Sequence, residues 1–145
     1  MTTINKTVLV GHSTNQMFEL VDRVEDYPKF LPWCGGSTVA HQDENVTHAT
    51  ILINYHFIRH SFTTINTRKS PELIEMSLLD GPFKHLDGHW HFISLGDTSC
   101  KIEFSLNYTF SNKLLEKIVG PVFFIIANNF VEAFVARAEK IYMSS

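Results

Sequence analysis

The sequence predicts an α+β domain in which a curved antiparallel sheet of about seven strands packs around a long C-terminal helix. Two observations favour this class. The middle of the chain alternates apolar and polar residues over short segments separated by turn signals, and the last third follows a helical period instead. A sheet wrapped around a single helix leaves a cleft between its inner face and that helix.

Composition is that of an ordinary globular domain. The chain has 145 residues and is expected to form one domain over residues 1–145. Its apolar content of 44% and charged content of 19% exclude a disordered protein. The net charge of −3 gives no global attraction to nucleic acid. The two cysteines, Cys34 and Cys100, have no metal-site spacing and are predicted to be free thiols, with a single disulfide as the alternative.

No membrane-spanning segment or signal peptide is predicted. The longest apolar run, residues 118–127, is half the ~20 residues that a membrane-spanning helix needs. The first residues lack the pattern of a charged segment followed by an apolar one. A cytoplasmic protein is therefore expected, with peripheral contact to the inner membrane as an addition.

The first third contains one strand, one short helix and one unusual loop. Residues 3–12 are rich in β-branched side chains, as strands are, and residues 13–24 follow a helical period. Ser13 and Gln16 have the spacing of a capping box at the start of that helix. The segment of residues 27–34 (YPKFLPWC) contains two prolines, which predict a loop, together with three aromatic residues, which are unusual in a surface loop. This composition fits either a lid over the cleft or a plug packed against the long helix.

Six further strands follow with a period of two residues. They are predicted at residues 37–42, 46–55, 60–67, 73–79, 88–95 and 101–110, with turns at residues 43–45, 69–71, 80–82 and 96–97. Because the turns are short, consecutive strands must pair antiparallel.

The last third is predicted to be mainly one long helix. Ser111 is a plausible N-cap, the Gly120-Pro121 pair predicts a break or kink, and Pro121 suits the first position of a helix that continues to about Tyr142. The apolar arc of this helix spans roughly 200°, about twice that of a surface helix, which indicates a largely buried helix gripped by the sheet. Its inner face would consist of Val119, Phe123, Ile126, Ala127, Phe130, Phe134, Ala138 and Ile141, widened by Phe124, Val131 and Val135.

Four segments occur in an order that resembles a known family. They are EDYPKFLPWCGGS, RHSFTT, LLDGPFKHLDGHWHF and GPVFFIIANNFVEAFVARAEKIY, and the stretch from Asp80 to Phe92 is the most specific. Together they resemble the START-like coenzyme Q-binding/RatA family, which lies within the polyketide cyclase/dehydrase superfamily. The resemblance runs from about residue 3 to residue 142. It implies a helix-grip fold, in agreement with the pattern of elements.

The resemblance also implies a cavity that binds a hydrophobic molecule, with ubiquinone as the first candidate and a lipid carrier or chaperone for respiratory electron transport as the role. Trp33, Lys84 and His85 are candidate hydrogen-bond donors to the quinone oxygens. Core packing is the alternative for the aromatic residues. The predicted ligand-binding residues are Phe30, Leu31, Trp33, Phe83, Lys84, His85, Leu86, Trp90, Phe92, Phe123, Ile126 and Phe130.

A ribosome-directed toxin is the second function that the resemblance implies. Such a protein would bind the large ribosomal subunit and block subunit association, which requires a basic surface for rRNA phosphates. The residues available for such a surface are Lys29, Arg59, Arg68, Lys69, Lys84, Lys113 and Lys117, and dispersed solvated charges are the alternative.

Catalysis and metal binding have weaker support. A polyketide cyclase or dehydrase would need a general acid and base, for which Glu75, Asp80, His85 and Glu103 are the residue types present. His85, His89 and His91 lie close in sequence, with Asp87 beside them, but without a recognised ligand spacing. The sequence therefore predicts a binding protein without catalytic residues, a cofactor or a metal.

Overall fold

The sheet contains seven strands, and the structure, a computed structural model, describes residues 1–142. The strands are β1 (Thr2–Val10), β2 (Cys34–Gln42), β3 (Val46–Tyr55), β4 (Ile58–Lys69), β5 (Leu73–Asp80), β6 (Phe83–Gly96) and β7 (Ser99–Phe110). Each of β2 to β6 pairs antiparallel with the next strand, and β1 pairs with β7, so the order is β1-β7-β6-β5-β4-β3-β2. The predicted antiparallel sheet and α+β class are confirmed.

The helices follow β1 and β7. Helix α1 (Thr14–Asp22) and a short 3₁₀ helix (Val24–Lys29) connect β1 to β2, while α2 (Lys113–Asn128) and α3 (Phe130–Ile141) follow the sheet. The predicted capping box is present at the start of α1. The Ser13 hydroxyl accepts from Gln16 N at 3.1 Å, and the Gln16 side-chain oxygen accepts from Ser13 N at 3.0 Å.

Strand β7 shows the predicted alternation over its full length. Its inner-face side chains lie between the sheet and the helices and are buried, while the intervening residues are half-exposed on the outer face. Each inner residue buries apolar surface, and this burial stabilises the fold by roughly 25 cal/mol per Å². The inner residues are Cys100, Ile102, Phe104, Leu106, Tyr108 and Phe110.

Strand β6 starts five residues earlier than the predicted residue 88, at Phe83. The Asp80–Phe92 segment forms the β5–β6 turn and the first part of β6. Gly81 has φ of +150° in the turn, and a Cβ on Gly88 would lie 2.3 Å from the Ser105 carbonyl oxygen on β7. Both positions therefore require glycine, which explains why this segment is distinctive in sequence.

The break in the C-terminal helix lies at Asn129, not at Gly120-Pro121 as predicted. Helix α2 begins at Lys113 and runs through Pro121, and it bends by 41° where it meets α3. Asn112, not Ser111, is the N-cap, because its side-chain oxygen accepts from Leu115 N at 2.9 Å. Ser111 instead donates to the Pro82 carbonyl at 3.0 Å, which fixes the start of α2 beside the β5–β6 turn.

The bend changes which side chains are buried. Residues on the predicted inner face of α2 are buried, but Phe124 is 47% exposed and Ile141 is 44% exposed, contrary to prediction. A single 100° periodicity cannot describe both halves, because α3 starts with a different direction and phase.

In the described chain no single helix is long and apolar enough to cross a membrane. Only α2 and α3 taken together, across their bend, have that length and composition.

Candidate functional site

An apolar cavity lies between the inner face of the sheet and α2. The volume of this cavity is about 60 Å³. Its lining includes Ile51 and Ile53 of β3, Leu106 of β7, and Ile126 and Ala127 of α2. The concave face of the sheet and the helix across it therefore form the cleft that the sequence predicted.

Two aromatic clusters flank the cavity. In the first, the Trp90 ring lies 4.7 Å from Phe104, 5.2 Å from Phe134 and 5.7 Å from Phe130, measured between centroids. In the second, the Phe123 ring of α2 contacts rings from β4, β6 and β7 at centroid distances between 4.7 and 6.1 Å. The members of the second cluster are Phe62, Phe83, Tyr108, Phe110 and Phe123.

Five of the predicted ligand-binding residues line the cavity. Trp33 approaches from the segment before β2, Leu86 from β6, and the other three from α2 and α3. Trp33 is half-exposed and its ring lies 6.0 Å from Phe130. The five residues are Trp33, Leu86, Phe123, Ile126 and Phe130.

Other predicted residues belong to the packed core instead. Trp90 and Phe92 are each 1% exposed, and their rings stack with an interplanar angle of 4°. Phe83 packs in the second aromatic cluster, stacked on Phe110 at 4.9 Å. None of these three lines the cavity. Their alternation along β6 placed them correctly on the inner face but could not distinguish the cavity from the dense packing beside it.

The segment of residues 27–34 is packed rather than open. Tyr27 donates to the Val21 carbonyl at 2.5 Å, and Leu31 is 1% exposed. Phe30 is half-exposed; its ring lies 5.1 Å from Phe134, with the Arg137 guanidinium above it. In this conformation most of the segment plugs the end of the sheet against α3, and its residues Tyr27 and Trp33 reach the cavity.

Lys84 and His85 do not line the cavity. Both side chains are exposed, because a register shift between Phe83 and His85 turns this part of β6 so that Phe83 and Leu86 face inward. They therefore cannot donate to a ligand in this conformation, contrary to prediction. The irregularity could not be read from the sequence, since a regular strand would place Leu86 and Lys84 on the same face.

The polar side chains of the cavity are Thr64 and Asn66, which sequence analysis did not identify. They are two residues apart on β4, on the same face, and the Thr64 hydroxyl donates to the Asn66 side-chain oxygen at 2.8 Å. The signal was present in the sequence as the alternation Phe62, Thr64, Asn66, Arg68. It could be interpreted only once the inner face of β4 was known.

Acid and base candidates lie outside the cavity. Glu75 and Asp80 are exposed, and Glu103 is on the outer face of β7, 3.5 Å from His91. Tyr27 lines the cavity, but burial, above all, raises the pKa of its phenol, so the hydroxyl stays protonated. Among residues 1–142, no group of three or more histidine, cysteine or acidic side chains could hold a metal ion.

The two cysteines are free thiols, as predicted, and both are buried. Burial raises the pKa of the Cys34 thiol and of the Cys100 thiol. Because the thiolate is the reactive form, neither thiol is activated as a nucleophile or a metal ligand at neutral pH.

The predicted basic residues separate into two groups. Arg68 is paired with Asp22 at 2.8 Å, Lys29 is paired with Asp26 at 3.0 Å, and Lys69 ends β4 at the opposite end of the sheet. The remaining four occupy exposed positions at one end of the sheet. Arg59 follows the β3–β4 turn, Lys84 follows the β5–β6 turn, and Lys113 and Lys117 belong to the first turns of α2, whose start is bonded to the β5–β6 turn. We call these four residues the basic rim: Arg59, Lys84, Lys113 and Lys117.

Relatives of this chain carry two kinds of name. The persistence and stress-resistance toxin PasT of Escherichia coli O6:H1 is 43% identical over 142 residues, covering 98% of this chain and 90% of the relative. The ribosome association toxin RatA of Escherichia coli K12 is 42% identical over the same spans. The mitochondrial coenzyme Q-binding protein COQ10 of Drosophila melanogaster is 26% identical, over 93% of this chain and 57% of its own length.

Solved structures with the same fold include both relatives and distant enzymes. The solution structure of an 18 kDa protein of Caulobacter crescentus has a TM-score of 0.75 and 31% identity, over 99% of this chain and all of that chain. The Zhui aromatase/cyclase of Streptomyces has a TM-score of 0.82 but only 12% identity, over 99% and 96% of the two chains, so it shows the fold alone.

The family model described as polyketide cyclase/dehydrase and lipid transport matches residues 10–135. That range includes α1, β2 to β7, α2 and the cavity between them. With a match over most of its length and close relatives of 42–43% identity, the chain belongs to this START-like polyketide cyclase/dehydrase and lipid transport family.

Proposed function

We propose that the protein binds a neutral hydrophobic molecule, an isoprenoid quinone such as ubiquinone as the first candidate, in the cavity between sheet and helix. The observation that carries this proposal is an apolar cavity lined by aromatic and aliphatic side chains with two polar groups on one wall. Binding sites for small molecules commonly have this composition. The protein would act in the cytoplasm as a lipid carrier and meet the inner membrane to exchange its cargo.

Binding without catalysis is supported by the lining of the cavity. No carboxylate, lysine, arginine or histidine lines it in the described chain. An enolising cyclase or dehydrase needs an acid and a base within hydrogen-bond reach of its substrate. The candidate acids and bases Glu75, Asp80, His85 and Glu103 lie outside the cavity instead, which supports binding without catalysis.

A ligand must enlarge the cavity to enter it. The present volume of about 60 Å³ is well below the ~300–1,000 Å³ of small-molecule pockets, so a quinone ring requires outward movement of a wall. Trp33 is the wall residue that is half-exposed and belongs to no helix or strand. The isoprenoid tail would lie along the apolar lining, where each buried CH₂ contributes about 0.8 kcal/mol.

The direct test is to identify the molecule that the protein retains. Protein purified without detergent from a quinone-producing host is extracted with organic solvent, and the lipids are identified by mass spectrometry. We expect a near-stoichiometric isoprenoid quinone. An empty extract, with no binding of a short-chain ubiquinone added back, would contradict the proposal.

Filling the cavity should weaken binding without unfolding the protein. Ala127 is 3% exposed and lines the cavity, so Ala127→Leu adds three carbon atoms to the space that the ligand would occupy. We expect quinone affinity to fall by about tenfold or more, equivalent to ~1.4 kcal/mol, in a variant that still unfolds cooperatively. The matched control is Ala136→Leu on the exposed face of α3, which should bind as the original protein does.

We propose ribosome association as the second function, because relatives with 42% identity bear the name ribosome association toxin and the basic rim supplies a surface for it. The rim combines four exposed cations with exposed apolar residues, including Leu114 and Ile118 of α2. In residues 1–142 none of the four cations forms an ion pair. Free cations of this kind can neutralise rRNA phosphates.

Sedimentation of purified ribosomal subunits tests this second function. We expect added protein to reduce the fraction of joined subunits in a sucrose gradient, and the effect to weaken as salt rises. Lys113→Glu with Lys117→Glu should remove the effect. Lys69→Glu with Lys101→Glu changes the net charge equally at the opposite end of the sheet and should retain it; equal behaviour of the two pairs would contradict a role of the rim.

A further inference from the structure

The cavity has one polar wall, formed by Thr64 and Asn66 of β4, and a buried hydroxyl without a partner lies beside that wall, outside the present lining. Thr47 of β3 is 1% exposed, and its hydroxyl oxygen makes no hydrogen bond in the described structure. It lies directly across from Asn66 of β4 in the strand register, on the inner face of the sheet. Thr64, two residues before Asn66, is 5% exposed. These three side chains form a polar patch, Thr47, Thr64 and Asn66.

Such a patch costs stability unless something pairs with it. A buried hydroxyl without a hydrogen bond loses its contact with water and gains nothing in return, so it is less stable than one that is paired. A valine at position 47 would have nearly the same shape without that cost, so the Thr47 hydroxyl is available to a partner that the protein chain does not supply. Thr64 already donates to the Asn66 side-chain oxygen, which leaves the Asn66 amide group oriented as a donor.

The patch carries no free charge. Arg68 is the next inner-face residue along β4, but its guanidinium donates to Asp22 at 2.8 Å and to the Asp43 carbonyl. This pairing neutralises the charge of the nearest cation, although the buried Nε of Arg68 has no hydrogen-bond partner in the described structure. A carboxylate or phosphate entering the cavity would lose its hydration without gaining a countercharge, whereas a carbonyl or hydroxyl oxygen would need only hydrogen-bond donors.

We propose that Thr47, Thr64 and Asn66 form the head-group site of the cavity and select a neutral oxygen, carbonyl or hydroxyl, on an elongated apolar ligand. This inference rests on the proposed binding function and specifies its ligand class. The Asn66 amide donates to the ligand oxygen from the cavity wall, while Thr64 holds the Asn66 side chain in position. The Thr47 hydroxyl, opposite Asn66 in the strand register, donates to the same oxygen once the ligand has widened the cavity. Fatty acids and phospholipids, which carry charged heads, are thereby disfavoured.

The test compares two probes and matched variants by calorimetric titration. The probes are ubiquinone with two isoprene units and palmitate, which has a charged head on an apolar chain. We expect the original protein to bind the quinone at least tenfold more tightly than palmitate. Asn66→Leu and Thr64→Val should each weaken quinone binding by about five- to tenfold, while Thr67→Val, at an exposed position of the same strand, should not.

The Thr47→Val variant distinguishes a role of Thr47 in binding from a purely structural role. We expect this variant to unfold at a temperature at least as high as the original protein, because the unpaired hydroxyl is removed, and yet to bind the quinone more weakly. Unchanged quinone affinity in Thr47→Val, Thr64→Val and Asn66→Leu, or equal affinity for palmitate, would overturn the head-group site while leaving the cavity function intact. Failure of the original protein to bind either probe would overturn the cavity function itself and the head-group site with it.

Discussion

Trp90→Ala is expected to lower the free energy of unfolding by about 3–5 kcal/mol. Trp90 is 1% exposed and its ring contacts four aromatic rings from β6, β7 and α3. Removing the indole leaves a void that these rings, held by two strands and a helix, cannot fill. Since domains of this size are stable by about 5–15 kcal/mol, the variant should lose at least about a fifth of its stability.

Urea unfolding followed by far-ultraviolet circular dichroism measures this change without relying on the deleted fluorophore. Phe57→Ala is the control, because Phe57 is fully exposed at the tip of the β3–β4 turn and should change the free energy by less than about 0.5 kcal/mol. A loss of less than about 1 kcal/mol in Trp90→Ala would mean that the aromatic cluster is loosely packed and is part of the cavity.

Arg68→Met should lower the free energy of unfolding by about 2 kcal/mol, the second-largest effect expected. The Arg68 side chain is 12% exposed and connects the last residue of α1, Asp22, to the backbone of the β2–β3 turn at Asp43. Methionine keeps most of the apolar stem but leaves the Asp22 carboxylate, 20% exposed, without its cation. The cost is limited because that carboxylate regains some contact with water.

The control for Arg68→Met is Arg59→Met on the same strand, where the side chain is exposed. Arg59 forms no ion pair within residues 1–142, so its replacement should leave the unfolding midpoint in urea almost unchanged. Equal losses in the two variants would show that the Asp22 pair contributes no more than a surface charge. The same Arg68 variant would also free a carboxylate near the polar patch and should disfavour anionic probes further.

The regular alternation of apolar and polar residues made the sheet predictable. Local irregularities in the helices and in strand pairing caused the predictions that were wrong. Strand β7 alternates without interruption, and the glycines of the Asp80–Phe92 segment mark the β5–β6 turn and a close approach of backbones. The break at Asn129 was missed because proline and glycine dominate expectations of helix ends. Pro121 is tolerated within α2, where it costs one backbone hydrogen bond to the Lys117 carbonyl.

The candidate site was predicted less well than the fold, for a physical reason. Residue type indicates an inner-facing aromatic but not whether its neighbours fill the space around it, so Trp90 and Trp33 looked equivalent before their packing was known. Lys84 and His85 were misplaced by one irregular pairing. Thr64 and Asn66 were overlooked because threonine and asparagine on a strand usually face water, and only the sheet register places them inside.

The pairing of β1 with β7 has a consequence for how the protein is made. Thr2 pairs with Tyr108, so the first strand to leave the ribosome has no partner until the seventh has been synthesised. At about 5–20 residues per second, that wait lasts roughly 5–20 s. Helices α2 and α3 are translated later still, so the nascent sheet has an uncovered apolar face in the meantime. The cavity between the sheet and α2 is therefore among the last parts of the molecule to form, and the proposed ligand could be enclosed only after nearly all of the chain has been translated.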